Sequence, residues 1–191
     1  MPLFSKFLTR ARLSKARDHL GRRILDLGCG HGELLDYLTP EVEQIVLVDR
    51  SPERQERVEA KLLTQTVRGQ FIVANFEEGG THFPQDCFDT VVMAALLEHL
   101  KDPGKVLQEI VRLLEPQGLL LLTTPTPWGG KIHKLTSFFG LTYREAAEEH
   151  VRFYGKSDLV LLLESHGFEI QRFRPFLLGL NQFVLARKKS G

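Results

Sequence analysis

The sequence predicts an α/β fold: one domain with a seven-stranded, mostly parallel sheet, one antiparallel strand, and helices on both faces. Three observations carry this. Short apolar runs alternate with stretches of helical spacing, the pattern of strand–helix crossovers. Several runs, Leu119-Leu120-Leu121-Leu122 above all, are apolar throughout rather than alternating, as strands covered on both faces are. The last two runs are separated only by Arg174 to Leu180, far short of the dozen or so residues a parallel crossover needs, so they pair antiparallel or not at all. At 191 residues and 42% hydrophobic, the chain suits a single core.

Residues 1–23 form a candidate helical cap. Lys6, Arg10, Arg12, Lys15, Arg17, Arg22 and Arg23 stand against one acid, Asp18, while Leu3, Phe4, Phe7, Leu8 and Ala11 share a helical face. Such a basic amphipathic helix packs on the domain, covers a pocket, or makes a weak membrane-surface contact. Ile24 to Leu27 then form a first strand that carries Asp26 into Gly28-Cys29-Gly30-His31-Gly32. Alternating glycines permit positive φ and close approach of a ligand to the backbone. Leu34, Leu35 and Leu38 predict a helix after the loop.

Gln44 to Asp49 read as a buried second strand ending in an acid, 23 residues beyond Asp26. That is close to the ~20-residue spacing that places a carboxylate on a ribose diol, where it accepts from both hydroxyls. Ser51-Pro52 predicts an N-cap and first helical position, with a polar helix to about Leu63. A third strand, Gln70 to Asn75, leads to Phe76, and a loop with Gly79, Gly80 and Pro84 leads to a fourth strand from Phe88. Asp102-Pro103 starts a helix carrying Val106, Leu107, Ile110, Leu113 and Leu114, and Leu119 to Thr124 form the fifth strand.

Residues 126–156 interrupt the rhythm with Trp128, Phe138, Phe139, Tyr143, Phe153 and Tyr154, together with His133 and His150. Thr142-x-x-Glu145 is a capping box, so part of this insertion is helical. It follows a strand's carboxyl end, which makes it the candidate acceptor lid. Ser157 is the expected cap of a last helix stopped by Gly167, before strands at Phe168 to Phe173 and Asn181 to Ala186.

The loop's spacing and charge select its ligand. A dinucleotide loop places a third glycine where this chain has Glu33, and acids at Asp26 and Glu33 suit a cation better than a pyrophosphate. S-adenosyl-L-methionine carries a sulfonium and an ammonium and no phosphate. The segment resembles motif I of the class I S-adenosylmethionine-dependent methyltransferases, in particular the type 11-like domain, whose fold is Rossmann-like. Residues 24–191 would be that domain. Leu97-Glu98-His99 resembles the "LEH" segment of the same superfamily.

The resemblance implies cofactor contacts at Asp26, Gly28, Gly30, Asp49, Asn75, Phe76 and Ala94. Family members often have an acid at the position of Asn75, whose amide oxygen can also accept from the adenine amino group; Phe76 either packs near adenine or belongs to the core. No Asn/Asp-Pro-Pro-aromatic motif follows the fourth strand, which argues against bases and glutamine as acceptors. The expected activity is O- or C-methylation of a small-molecule, sugar or lipid acceptor. His150, Tyr154 and His99 are the candidate catalytic groups, with a structural role for each histidine as the other reading. A non-catalytic cofactor-binding module and a nicotinamide-dependent oxidoreductase are the rival classes, the latter opposed by Glu33.

Composition excludes other classes. With 25 basic against 24 acidic side chains there is no global case for nucleic acid. Cys29 and Cys87 form no Cys-x-x-Cys pair, so neither a zinc site nor a disulfide framework is expected, and a reducing, cytoplasmic setting is. No apolar run reaches the ~18 residues of a membrane span, and no export signal is evident.

Overall fold

The computed structural model describes residues 3–79, 82–130 and 152–190. Its sheet has the order β3-β2-β1-β4-β5-β7-β6, with β1 at Arg23–Leu27, β2 at Gln44–Asp49, β3 at Arg68–Val73, β4 at Phe88–Ala94, β5 at Leu114–Pro125, β6 at Phe168–Phe176 and β7 at Asn181–Lys188. β7 lies between β5 and β6 and runs antiparallel to both, so six strands point one way and β7 the other. β6 is one of the two edge strands, which is why it tolerates Pro175 in its ladder.

One face packs against α3 (Pro103–Leu113) and α4 (Lys156–Ser165). Val106, Leu107, Ile110 and Leu113 follow helical spacing, and each is essentially buried against Leu25, Val91 and Leu120. Each contributes about 1.5–3 kcal/mol of burial. The opposite face carries Ile24, Ile45, Leu47, Val92, Leu121 and Phe183, covered by α1 (Leu3–Ala16) and by Val58 of α2 (Gln55–Leu62). Among the described residues no helix is long and apolar enough to cross a membrane.

Several local expectations are corrected. The stretch after the glycine loop is a 3₁₀ turn at Glu33–Tyr37 rather than a full helix. Pro40 biases Thr39 away from helical backbone, and Leu38 is already extended. Ser51 does not cap α2: its hydroxyl bonds the Glu53 carboxylate at 2.7 Å, and a 3₁₀ turn precedes the helix. Gly155, not Ser157, is the N-cap of α4, its N–H donating to Asp158 at 3.3 Å. Asp102 caps α3 as expected, accepting from Lys105 N–H at 3.1 Å. On α1 the buried side is Leu8, Leu13 and Ala16, whereas Phe7 is 56% exposed.

Candidate functional site

The glycine loop is tied to the end of β2. The N–H groups of Gly28 and Cys29 both donate to the Val48 carbonyl, at 2.9 and 3.2 Å. Gly28 sits at φ +69°, and a Cβ there would lie 3.0 Å from the Leu96 side chain. Position and conformation together therefore demand glycine. Gly30, at φ +61°, donates its N–H to Asp49 Oδ2 at 3.0 Å, so the loop and the second strand's acid form one unit.

Three carboxylates surround this loop. Asp26 is 3% exposed, and burial, then Glu33, then Asp49 push its pKa up to about 8. Glu33 stays in the loop by accepting from His31 N–H at 3.0 Å. His31 Nδ1 is buried with no hydrogen-bond partner among the described residues. Burial also pushes the Cys29 thiol well above its ordinary range, which makes it packing rather than a nucleophile. The N–H groups from Gly28 to Gly32 are all donated within the protein, so the loop has none to offer a pyrophosphate; with acids around it, it suits a cationic, diol-bearing ligand, and these residues fit S-adenosylmethionine.

Asp49 is 4% exposed and accepts from Gly30 N–H, from Ser51 N–H at 3.0 Å and from Arg54 Nη1 at 2.6 Å. Arg54 thus stands on the carboxylate that the resemblance assigns to the ribose. The sequence reading missed it; its only trace is an arginine five positions after the acid, on the turn entering α2. Asn75 is engaged in its own turn: Oδ1 accepts from Glu77 N–H at 3.2 Å, and Nδ2 donates to Glu78 at 2.8 Å. An adenine contact at Asn75 requires exchanging one of these bonds. Phe76 packs partly buried against the α3 face of the core. Beyond Ala94, the chain turns at Ala95 with φ +57°, its N–H held by the Thr123 carbonyl at 2.8 Å. Alanine rarely adopts that backbone, and such strain clusters at sites.

The other half of the carboxyl edge is polar as well. Glu98, in the 3₁₀ turn Leu97–His99, is 1% exposed and accepts from Thr124 Oγ1 at 2.9 Å. His99 shares that turn, half-buried, with its N–H on the Leu96 carbonyl at 2.9 Å. Tyr154 is 4% exposed within the core, the Arg152 guanidinium stands 6.0 Å from its ring, and its backbone carbonyl accepts from Gln182 Nε2 at 2.7 Å. Burial raises the Tyr154 phenol pKa, which keeps it protonated and makes it a poor base. His150 and the greater part of the expected lid, with the capping box at Thr142, lie outside the described residues. Among the described residues, no cluster of metal-ligating side chains occurs. Neither Glu98 nor Arg12 stood out in the sequence as a site residue.

A family model for a methyltransferase domain matches residues 4–172. The ubiquinone biosynthesis O-methyltransferase of Xanthomonas euvesicatoria pv. vesicatoria is 33% identical over 104 residues, 54% of this chain and 43% of that relative. The match thus spans less than half the length of that relative. An S-adenosylmethionine-dependent methyltransferase of Methanosarcina mazei shares the fold with a TM-score of 0.70 at 21% identity, covering 93% of this chain and 98% of that one. One from Mesorhizobium loti does so with a TM-score of 0.69 at 18% identity, covering 92% and 96%.

Proposed function

The chain belongs to the S-adenosylmethionine-dependent methyltransferases, and from that premise we propose that it methylates a hydroxyl oxygen of a small-molecule acceptor. The observation that carries the reading is the glycine loop ringed by Asp26, Glu33 and Asp49, with Gly30 and Asp49 joined at 3.0 Å. Oxygen is favoured as the acceptor atom because the relatives matched over about half of this chain are named O-methyltransferases.

The cofactor supplies a methyl group already activated toward displacement by its sulfonium. The chain's own part is binding and positioning. Glu33 presents negative charge to a cation, Asp26 joins it once its raised-pKa carboxyl gives up its proton, and Asp49 offers its oxygens to a diol once Arg54 yields one of them. The parallel sheet delivers these groups and Ala94 to one edge, and the acceptor hydroxyl is held there with water excluded. A hydroxyl must also lose its proton, and His99 and His150 are the residues to test for accepting it.

The test is incubation of the chain with methyl-labelled S-adenosylmethionine and a panel of phenolic, sugar and lipid hydroxyl compounds, read by product mass and position of label. The expected outcome is one methyl on an oxygen of a small phenolic or aliphatic alcohol, with S-adenosylhomocysteine formed in equal amount. Label on carbon would refute the oxygen assignment. Tight cofactor binding without transfer to any acceptor would favour a binding module.

A further inference from the structure

The carboxyl edge holds more buried polarity than the cofactor loop uses. Eight polar or charged side chains are buried among the described residues, and five of them, Glu98, Thr123, Thr124, Asn181 and Gln182, lie beyond β4 and along the paired ends of β5 and β7. Alternation along the strands sorts them by face. Thr123 shares a side with Leu121, and Asn181 with Phe183, which is the side α1 covers. Asp26 and Ala94 alternate onto that side too, next to Ile24 and Val92. The row Asp26, Ala94, Thr123, Asn181 therefore leads from the cofactor loop toward α1 across neighbouring strands.

Arg12 of α1 closes this row. Its Nε donates to Asn181 Oδ1 at 3.0 Å, and its two Nη groups make no hydrogen bond among the described residues. Burial works against its charge while Glu98, held by Thr124 on the other face, supports that charge from a distance. Thr123, 3% exposed, has a buried Oγ1 with no hydrogen-bond partner among the described residues. A half-buried guanidinium with a free fork, at β7, and an unpartnered buried hydroxyl, on β5 beside Ala94, thus flank the same edge.

We propose that Arg12 and Thr123 form the subsite for a carboxylate on the methyl acceptor, so that the acceptor class is a hydroxylated carboxylic acid. The proposal rests on the methyltransferase reading above. A guanidinium fork matches the two oxygens of a carboxylate, and the threonine hydroxyl donates to one of them. Arg12 supplies one positive charge, which balances a monoanion and leaves a phosphate dianion half-neutralised. Asn181 holds the guanidinium in place, so binding does not need to order a long side chain.

The test uses the full chain, with and without S-adenosylhomocysteine, titrated calorimetrically with 4-hydroxybenzoate, 3-hydroxypropanoate, their methyl esters, and phenyl phosphate. In the wild type at least one acid is expected to bind about tenfold or more tighter than its ester and than phenyl phosphate. Arg12→Gln should abolish the preference for the acid, Arg12→Lys should restore part of it, and Thr123→Val should reduce it by about threefold or more. S-adenosylhomocysteine affinity should stay within about threefold of wild type in all three variants. Thr123→Val is nearly isosteric, so it keeps the test usable if an Arg12 variant fails to fold. If wild type binds no acid more tightly than its ester, or the preference survives in Thr123→Val and in every folded Arg12 variant, the proposal is overturned. Should Arg12 serve only to pin α1, its substitution would weaken acid, ester and cofactor alike, which also overturns it. A wild type that fails to bind S-adenosylhomocysteine sinks the methyltransferase reading instead, while the cofactor-free titrations still decide the subsite.

Discussion

Replacing Asp26 with asparagine tests the electrostatics of the loop directly. The carboxyl is 3% exposed, faces Glu33 and Asp49, and titrates at about 8 rather than 3.8. At pH 7 a group of that pKa is roughly 90% protonated, so a cationic ligand that needs the carboxylate must displace most of one proton. Affinity for S-adenosylhomocysteine, which keeps the ammonium, is then expected to rise about tenfold per pH unit up to pH 8 and to level off above it. Calorimetry at pH 6 to 8 in buffers of differing ionisation enthalpy reads both the slope and the proton released. Asp26→Asn should show neither, with the ligand's own titration identical in both proteins. The empty protein responds with the opposite sign. Because folding raises this pKa, the native state holds the proton that the unfolded state gives up. Stability linked to Asp26 is therefore fully present below pH 3.8 and is lost as pH rises through about 8. The loss is up to ~1.4 kcal/mol per pH unit, so Asp26→Asn should be the more stable protein at pH 8 by urea titration. A wild type with pH-independent affinity and no proton release, or a variant that keeps the wild-type slope, would refute the reasoning.

Other substitutions probe the same unit. Asp49→Ala removes an acceptor of charge-assisted bonds worth about 1.5–3 kcal/mol each, so S-adenosylhomocysteine affinity should fall at least tenfold by calorimetry. Arg54→Ala removes the competitor for Asp49 Oδ2 and should tighten cofactor binding by about two- to fivefold at low salt, the scale of a part-exposed ion pair. Weaker binding in that variant would instead make Arg54 a cofactor contact. Gly28→Ala faces both φ +69° and a 3.0 Å contact with Leu96. It should lower stability by about 1–3 kcal/mol in urea titration and abolish measurable cofactor binding.

What the sequence by itself determined was the succession of strands, the glycine loop and the direction of the last pair. The apolar run into alternating glycines located β1 and its loop, and the interval from Asp26 to Asp49 placed two acids at adjacent strand ends, because a parallel strand–helix–strand repeat has a nearly constant length. The short gap between the last two runs dictated an antiparallel pair, since no crossover fits in it. Only the tertiary structure decided that β7 inserts between β5 and β6, because the gap limits direction and says nothing about which edge accepts the hairpin. Helical spacing at Leu34, Leu35 and Leu38 produced a single 3₁₀ turn, since Pro40 ends the segment before a full helix can propagate. Arg54 is close to Asp49 in sequence, yet its reach to the carboxylate depends on the turn geometry that only the folded chain supplies. Arg12 and Asn181 meet across 169 positions, and Glu98 meets Thr124 across 26. Contacts at such separations arise from the sheet order, which brings the ends of β4, β5 and β7 to one edge beneath α1. No window of the sequence contains that order, and so the polar row beside Ala94 exists only in three dimensions.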